Sequence, residues 1–283
     1  MHRVLFGFLL ILPNSAAAQT PGERYKTLVK EFTTAHEAYS KRLQAAATVA
    51  EQGKLFREAN PQPAFALRFL ELATKHPNDP IAFKSLTWVV ENAEFGPAAE
   101  KPYAQAVALL ASKYADHNDA ESLFERMANS PFAAAGTYLR AVFDRHSRAA
   151  VRGRAGFHLA LHFKNYGDTI EQLRLQPHAL KNTEVFLGQD LLKRFLDADT
   201  AGLRRQAEAA LERVRKDHAF VSYVRNNKRS TLGKAADAEL FELRHLVVGK
   251  TPPDLEGEDT DGKKFKLSEY RGKVVVIVFW GFW

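Results

Sequence analysis

The chain has 283 residues, 46% of them hydrophobic and 26% charged, which is globular composition with room for one large or two ordinary domains. Its formal net charge is +7, yet Lys and Arg are interspersed with Asp and Glu through most of the length. That is the pattern of solvated helical faces, and even the arginine-rich spot of Arg145, Arg148, Arg152 and Arg154 has no aromatic interleaving or nucleic-acid motif. There is no cysteine, which excludes disulfides, thiolate metal sites and cysteine nucleophiles within these residues.

The first residues read as a secretory signal. His2 and Arg3 form a short basic start, Val4 to Leu12 is an apolar run too short to span a bilayer, and Ala16, Ala17 and Ala18 offer small-residue cleavage before Gln19. The expectation is an exported, periplasmic or otherwise extracytoplasmic protein with residues 1–18 removed and no membrane span thereafter.

Helical periodicity follows. Gly22 to about Gln52 carries Tyr25, Leu28, Val29, Phe32, Ala35, Tyr39 and Leu43 at three- and four-residue spacing. After the Pro61/Pro63 breaker, Phe65 to Leu72 predicts a second helix, and Ile81 to Ala93 a third. Tyr103 to Tyr114, Leu123 to Met127, Phe132 to Phe143 and Val151 to Phe163 continue the rhythm. Asp116 to Asp119 repeats the character of His76 to Asp79 about forty residues on, a period of the kind found in α-solenoids of stacked helix pairs. Asn165 to Asn182, with Gly167 and Pro177, predicts a connection holding at most short helices. Thr183 to Leu196, Thr200 to Asp217 and Thr231 to Leu246 are again helical.

At Val247 the period changes. Pro252 and Pro253 are incompatible with a helix interior, and Leu255, Phe265 and Leu267 mark short strands about the Asp261/Gly262 turn pair. Val274 to Val278, running into Phe279 and Trp280, predicts a strand buried on both faces of an α/β sheet. Without that sheet the run is expected to lie poorly packed or against the preceding hairpin with an open edge.

Two other clusters point to bland roles. His158 and His162 lie four apart on a helix but have no carboxylate to complete a metal set, so packing is expected. Asp254, Glu256, Glu258, Asp259 and Asp261 lack calcium-loop spacing, and the hairpin explains them better. No catalytic, cofactor-binding or metal-binding residue is assigned, and no cofactor is expected.

Three stretches together resemble the opening of TlpA/ResA-type thiol-disulfide oxidoreductases, and of the related alkyl hydroperoxide reductase/thiol-specific antioxidant redoxins: Gly249 to Leu255, Asp259 to Ser268, and Tyr270 to Trp280. The resemblance covers about thirty-five residues, Gly249 to Trp283. Taken with the signal-like start and the helical periodicity, it gives a mostly α chain: a signal peptide (1–18), an α-solenoid-like domain (19–246), and, as the resemblance implies, an incomplete α/β thioredoxin-like domain (247–283). In that family the strand ends in a Phe-Trp-x-x-Trp pattern, matched by Phe279, Trp280 and Trp283, and a Cys-x-x-Cys pair follows at a helix N-terminus, where the thiolate is stabilised. Those cysteines are absent, so the chain as written is expected to be inactive, with Trp280 and Trp283 as packing residues only. An interrupted or trimmed reading frame and a UGA codon read as selenocysteine both account for this position, and the codon after Trp283 separates them. The complete form would act on protein thiols or disulfides; peroxide reduction, or a non-catalytic helical module binding a protein partner, are the alternatives. No nucleic-acid partner is expected.

Overall fold

The computed structural model describes residues 19–225, 228–278 and 280–281. The signal-like segment 1–18 and the aromatic residues Phe279, Phe282 and Trp283 therefore lie outside the described residues.

Helices dominate. α1 (Pro21–Ala45) and α2 (Val49–Ala59) each start on a capping box, Thr20 with Glu23 and Thr48 with Glu51, in which side chain and backbone satisfy one another's free N–H groups. The single helix expected to about Gln52 is therefore two, because Thr48 restarts the ladder. α3 (Gln62–Lys75) and α4 (Pro80–Asn92) follow, the latter with Pro80 at its first position and Asp79 accepting from the Ile81 N–H. α5 (Pro97–Lys113) begins a turn and a half earlier than the apolar pattern suggested. Pro102 lies inside it, and a proline in the second turn masks the helix start in sequence. A 3-10 turn (Ala120–Leu123), α6 (Phe124–Ala128) and α7 (Ala135–Arg145) come next.

The expected connection over Asn165 to Asn182 is mostly helix instead. α8 runs from Ala149 to Arg174 and α9 from Pro177 to Leu196. Gly167 is no breaker because it lies buried on α8 facing Leu203, and Pro177 starts α9 at a position where the missing N–H costs nothing. α10 (Thr200–His218), a short hairpin of β1 (Ser222–Arg225) and β2 (Lys228–Thr231), and α11 (Leu232–His245) complete the helical part. The β1–β2 pair carried no sequence signal that stood out from its polar surroundings.

Most helices pack chiefly on those one or two places along the chain, α3 on α4 and α5, α7 on α5 and α8, α10 on α8 and α11, whereas α2 packs chiefly on α9. Side-chain hydrogen bonds between these layers recur at separations of 30 to 37 residues. Examples are Asn60 to Glu94, Tyr114 to the Pro77 carbonyl, Arg148 to Asn118, Asn165 to Ala128 and Arg244 to Glu208. The spacing is somewhat shorter than the forty residues read from the loops. One continuous apolar core runs through these layers, from Leu28 to Leu243. In it Phe69 stacks on Trp88 with centroids 3.9 Å apart, and Tyr103 on Phe132 at 4.1 Å. Burial pushes the Tyr103 hydroxyl up to about 12 while Ser130 holds it by a 2.9 Å hydrogen bond.

β3 (Glu256–Glu258) and β4 (Lys264–Lys266) form the second hairpin, packing on one another and on a 3-10 turn (Leu267–Tyr270) but not substantially on any helix. The strand expected from Val274 does not form. Val274 to Val278 have no pairing partner strand among the described residues, and Val274 and Val276 are 97% and 83% exposed. An apolar sequence makes a strand only when a neighbour supplies ladder hydrogen bonds and a face to bury.

Candidate functional site

The redoxin-like segment builds from its turn. Asp259 is the organiser: its Oδ1 accepts from the Asp261 and Lys263 N–H groups at 3.0 and 2.9 Å, and Gly262 takes φ 78°, a left-handed conformation natural to glycine. This sets the register Glu256–Lys266, Gly257–Phe265 and Glu258–Lys264. The Phe265 ring lies across Gly257, where an added Cβ would stand 2.9 Å from the ring. Asp254 closes the base by accepting from the Ser268 N–H (2.8 Å) and hydroxyl (2.7 Å), which hold its carboxyl below the usual range. Of the five acidic residues flagged in sequence, Asp254, Glu256 and Asp259 thus have separate structural partners, Ser268, Lys266 and the turn backbone. Among the described residues no group of three or more His, Asp or Glu is arranged to hold a metal ion.

Beyond the hairpin, Gly272 turns the chain at φ 83° and the Lys273 ammonium lies 5.9 Å from the Tyr270 ring centre. The apolar run then emerges into solvent, with Trp280 72% exposed. The segment presents carboxylates, lysines and apolar surface but no thiol, so it has no group able to exchange electrons with a disulfide.

The histidine pair on α8 is resolved into packing. His162 is buried beside Gly136 and Tyr166, and burial pushes it down to about 4 against the carbonyls of Ala133 and Met127. His158 bonds the Arg154 carbonyl through Nδ1 at 2.8 Å, and burial lowers it too. The four arginines are structural ties: Arg145 to the Ala111 carbonyl, Arg148 to Asn118, Arg152 to His146, and Arg154 bidentate to Glu121.

Two features of the helical part had no signal in the sequence. One is a polar cleft of about 740 Å³ between α6, α8 and β1, holding the Lys164–Glu239 pair (2.7 Å) and His158. The other is an apolar crevice of about 480 Å³ beneath α9. Each gathers side chains from several helices, a juxtaposition no local spacing encodes.

The chain is 40% identical over 55 residues to the thiol-disulfide oxidoreductase ResA of Geobacillus thermodenitrificans (strain NG80-2). That stretch is 19% of this chain and 32% of that protein, so the chain spans about a third of the relative it matches. The match supports a thioredoxin-like relationship. No family model matches, and no solved structure matches. Among the described residues no helix is long and apolar enough to cross a membrane.

Proposed function

We propose that residues 247–283 are the leading part of a TlpA/ResA-type thioredoxin-like domain, carried behind an α-solenoid-like domain (19–246) and a cleaved export signal (1–18). On this reading the protein works outside the cytoplasm as a thiol-disulfide oxidoreductase on protein substrates. The observation that carries it is the 40% identity to ResA. Two structural features support it: the Asp259-centred hairpin forms as a self-contained unit, and an apolar run suited to a central strand follows it with no partner strand among the described residues. The reading requires a redox-active Cys-x-x-Cys or selenocysteine pair that is not among these 283 residues, so this chain by itself carries no thiol exchange. The test is to read the encoding DNA past the Trp283 codon, express the longer product and assay insulin reduction beside peroxide turnover. Insulin reduction supports the oxidoreductase, peroxide turnover alone moves the reading to a peroxiredoxin-type antioxidant, and a downstream frame without a cysteine pair or selenocysteine overturns both.

A second reading, a helical-repeat module that binds a protein partner without catalysis, is favoured by the interlayer bonds recurring every 30 to 37 residues. Stacked repeats build extended binding surfaces. A stable, partner-binding product of residues 19–246 supports it.

A further inference from the structure

α9 is not a straight helix. Gly188 has φ 72° and ψ 163°, breaking it into two arms, 177–187 and 189–196. A straight helix of this length would separate its ends by about 28 Å. Yet Arg174, at the end of α8, donates to the carbonyls of Leu196 and Ala198. An arginine side chain spans only a fraction of that distance, so the second arm folds back toward the point where the first departs. α9 is therefore a helical flap tied at its base by Arg174 and by connections of two or three residues on either side.

The flap is lightly held. Leu187, Leu191 and Leu192 form a small apolar cluster of their own, separate from the main core. Its outer contacts include Val185 on Gly53, Phe186 edge-on to Phe56 at 5.7 Å, Phe195 against Phe95 and against Tyr166 at 5.3 Å each, and Arg194 to Glu100 at 2.8 Å. Leu187, Leu191, Leu192 and Phe195 are its buried side chains, and an element with so little of its length buried has a low free energy of local opening.

Under the second arm lies the 480 Å³ crevice, walled by Leu191 and Phe195 from the flap and by Phe95, Phe132, Tyr166 and Leu203 from the body. The volume is within the range of small-molecule sites. The charged groups at its mouth are already partnered. Arg194 and Glu100 hold one another, and Asp199 accepts from the Gly202 N–H at 2.8 Å and pairs with Arg205. No unmet charge faces the interior, and four of the six walls named are aromatic.

We propose that this crevice is a binding site for a small uncharged aromatic or aromatic-acyl molecule, admitted by opening of the α9 flap. The ligand stacks among the Phe95, Phe132, Tyr166 and Phe195 rings, and the Arg194–Glu100 pair latches the flap over it.

The probe is N-phenyl-1-naphthylamine, an uncharged aromatic fluorophore, titrated into residues 19–283 with amide exchange followed in parallel. Expected are saturable one-to-one binding and amides of 177–196 that exchange at least tenfold faster than those of α8, slowed when the probe is bound. Ala104→Trp, from a solvent-exposed rim position, should fill the crevice and weaken binding at least tenfold, and Leu203→Trp should do the same from the opposite wall. Arg194→Ala should raise the exchange rate of the flap severalfold. Val276→Asp, in the exposed apolar tail, should leave binding unchanged. Unaltered binding in both filling variants that retain the helical circular-dichroism spectrum overturns the proposal. So does loss of binding in Val276→Asp, which would place the probe on the tail, or equal exchange in α9 and α8.

Discussion

Gly53 of α2 lies so close to Val185 of α9 that a Cβ on it would stand 2.2 Å from the Val185 Cγ1 and 2.6 Å from its carbonyl oxygen. The two residues are far apart in sequence, and their approach closes the α9 flap onto the first helices. Gly53→Ala is expected to force the flap outward at a cost of about 1–3 kcal/mol, as overpacking does. The effect should be local: amide exchange in 177–196 rises, while the exchange of α3, α4 and α5 stays as it was. Equal acceleration across the helices would show that α9 is integral to the whole fold.

Lys164 joins α8 to α11 through Glu239 at 2.7 Å and Glu242 at 2.8 Å. Burial disfavours the charged ammonium, but the bonds to the two carboxylates outweigh it and raise its pKa. The partners differ in worth because Glu239 is 4% exposed and Glu242 47%. Breaking a buried pair leaves an uncompensated charge and costs roughly 3–5 kcal/mol, whereas an exposed pair is worth about 0–1 kcal/mol. Glu239→Ala should therefore fall near the lower end of the first range, since Glu242 remains, and Glu242→Ala within the second. Urea denaturation of both variants checks the ordering.

Acid should destabilise the helical part before its carboxylates titrate. His162 in the folded protein sits at about 4 against an ordinary 6.5, because burial favours the neutral ring. Above pH 6.5 it is neutral in both states and contributes no pH dependence. As pH falls from 6.5 toward 4 only the unfolded chain takes up the proton, so stability drops, by on the order of 3 kcal/mol across the window. His158 and His218 are lowered in the same direction by burial and add to the slope. His162→Leu is expected to flatten the fall in urea midpoint between pH 7 and pH 4.5 without abolishing it; an unchanged slope would contradict the assignment.

The exposed run from Val274 to Val278 is an unpaired apolar segment beside a small hairpin, the type of sequence that templates aggregation. Val276→Lys should reduce concentration-dependent light scattering of the chain while leaving the thermal transition of the helices in place, since Val276 itself is 83% exposed. A shift of that transition would reveal an unrecognised contact.

Wherever capping residues and apolar spacing agreed, as in α4, α10 and α11, the helices were legible to within a few residues. Reading failed where a local breaker was neutralised from elsewhere. Gly167 is helical because Leu203 packs over it, and Pro102 continues α5 although proline interrupts the expected pattern. The redoxin-like hairpin was legible because Asp259 and Gly262 build their turn from neighbours in the chain. The apolar run after it was legible as a strand sequence but not as a strand, since strand formation needs a partner that local residues do not supply.

By itself, then, the sequence determined the helical class, the change of period at Val247, the Asp259 turn and the lack of a cysteine among these 283 residues, all properties of residue type and short spacing. Tertiary structure alone decided that the two α8 histidines are packing residues, that Arg148 and Arg154 tie neighbouring layers, and that α9 folds back at Gly188 over an aromatic crevice. Burial and contact between residues thirty or more positions apart set these outcomes. A chain's local pattern fixes which faces are apolar, but not which other faces will meet them.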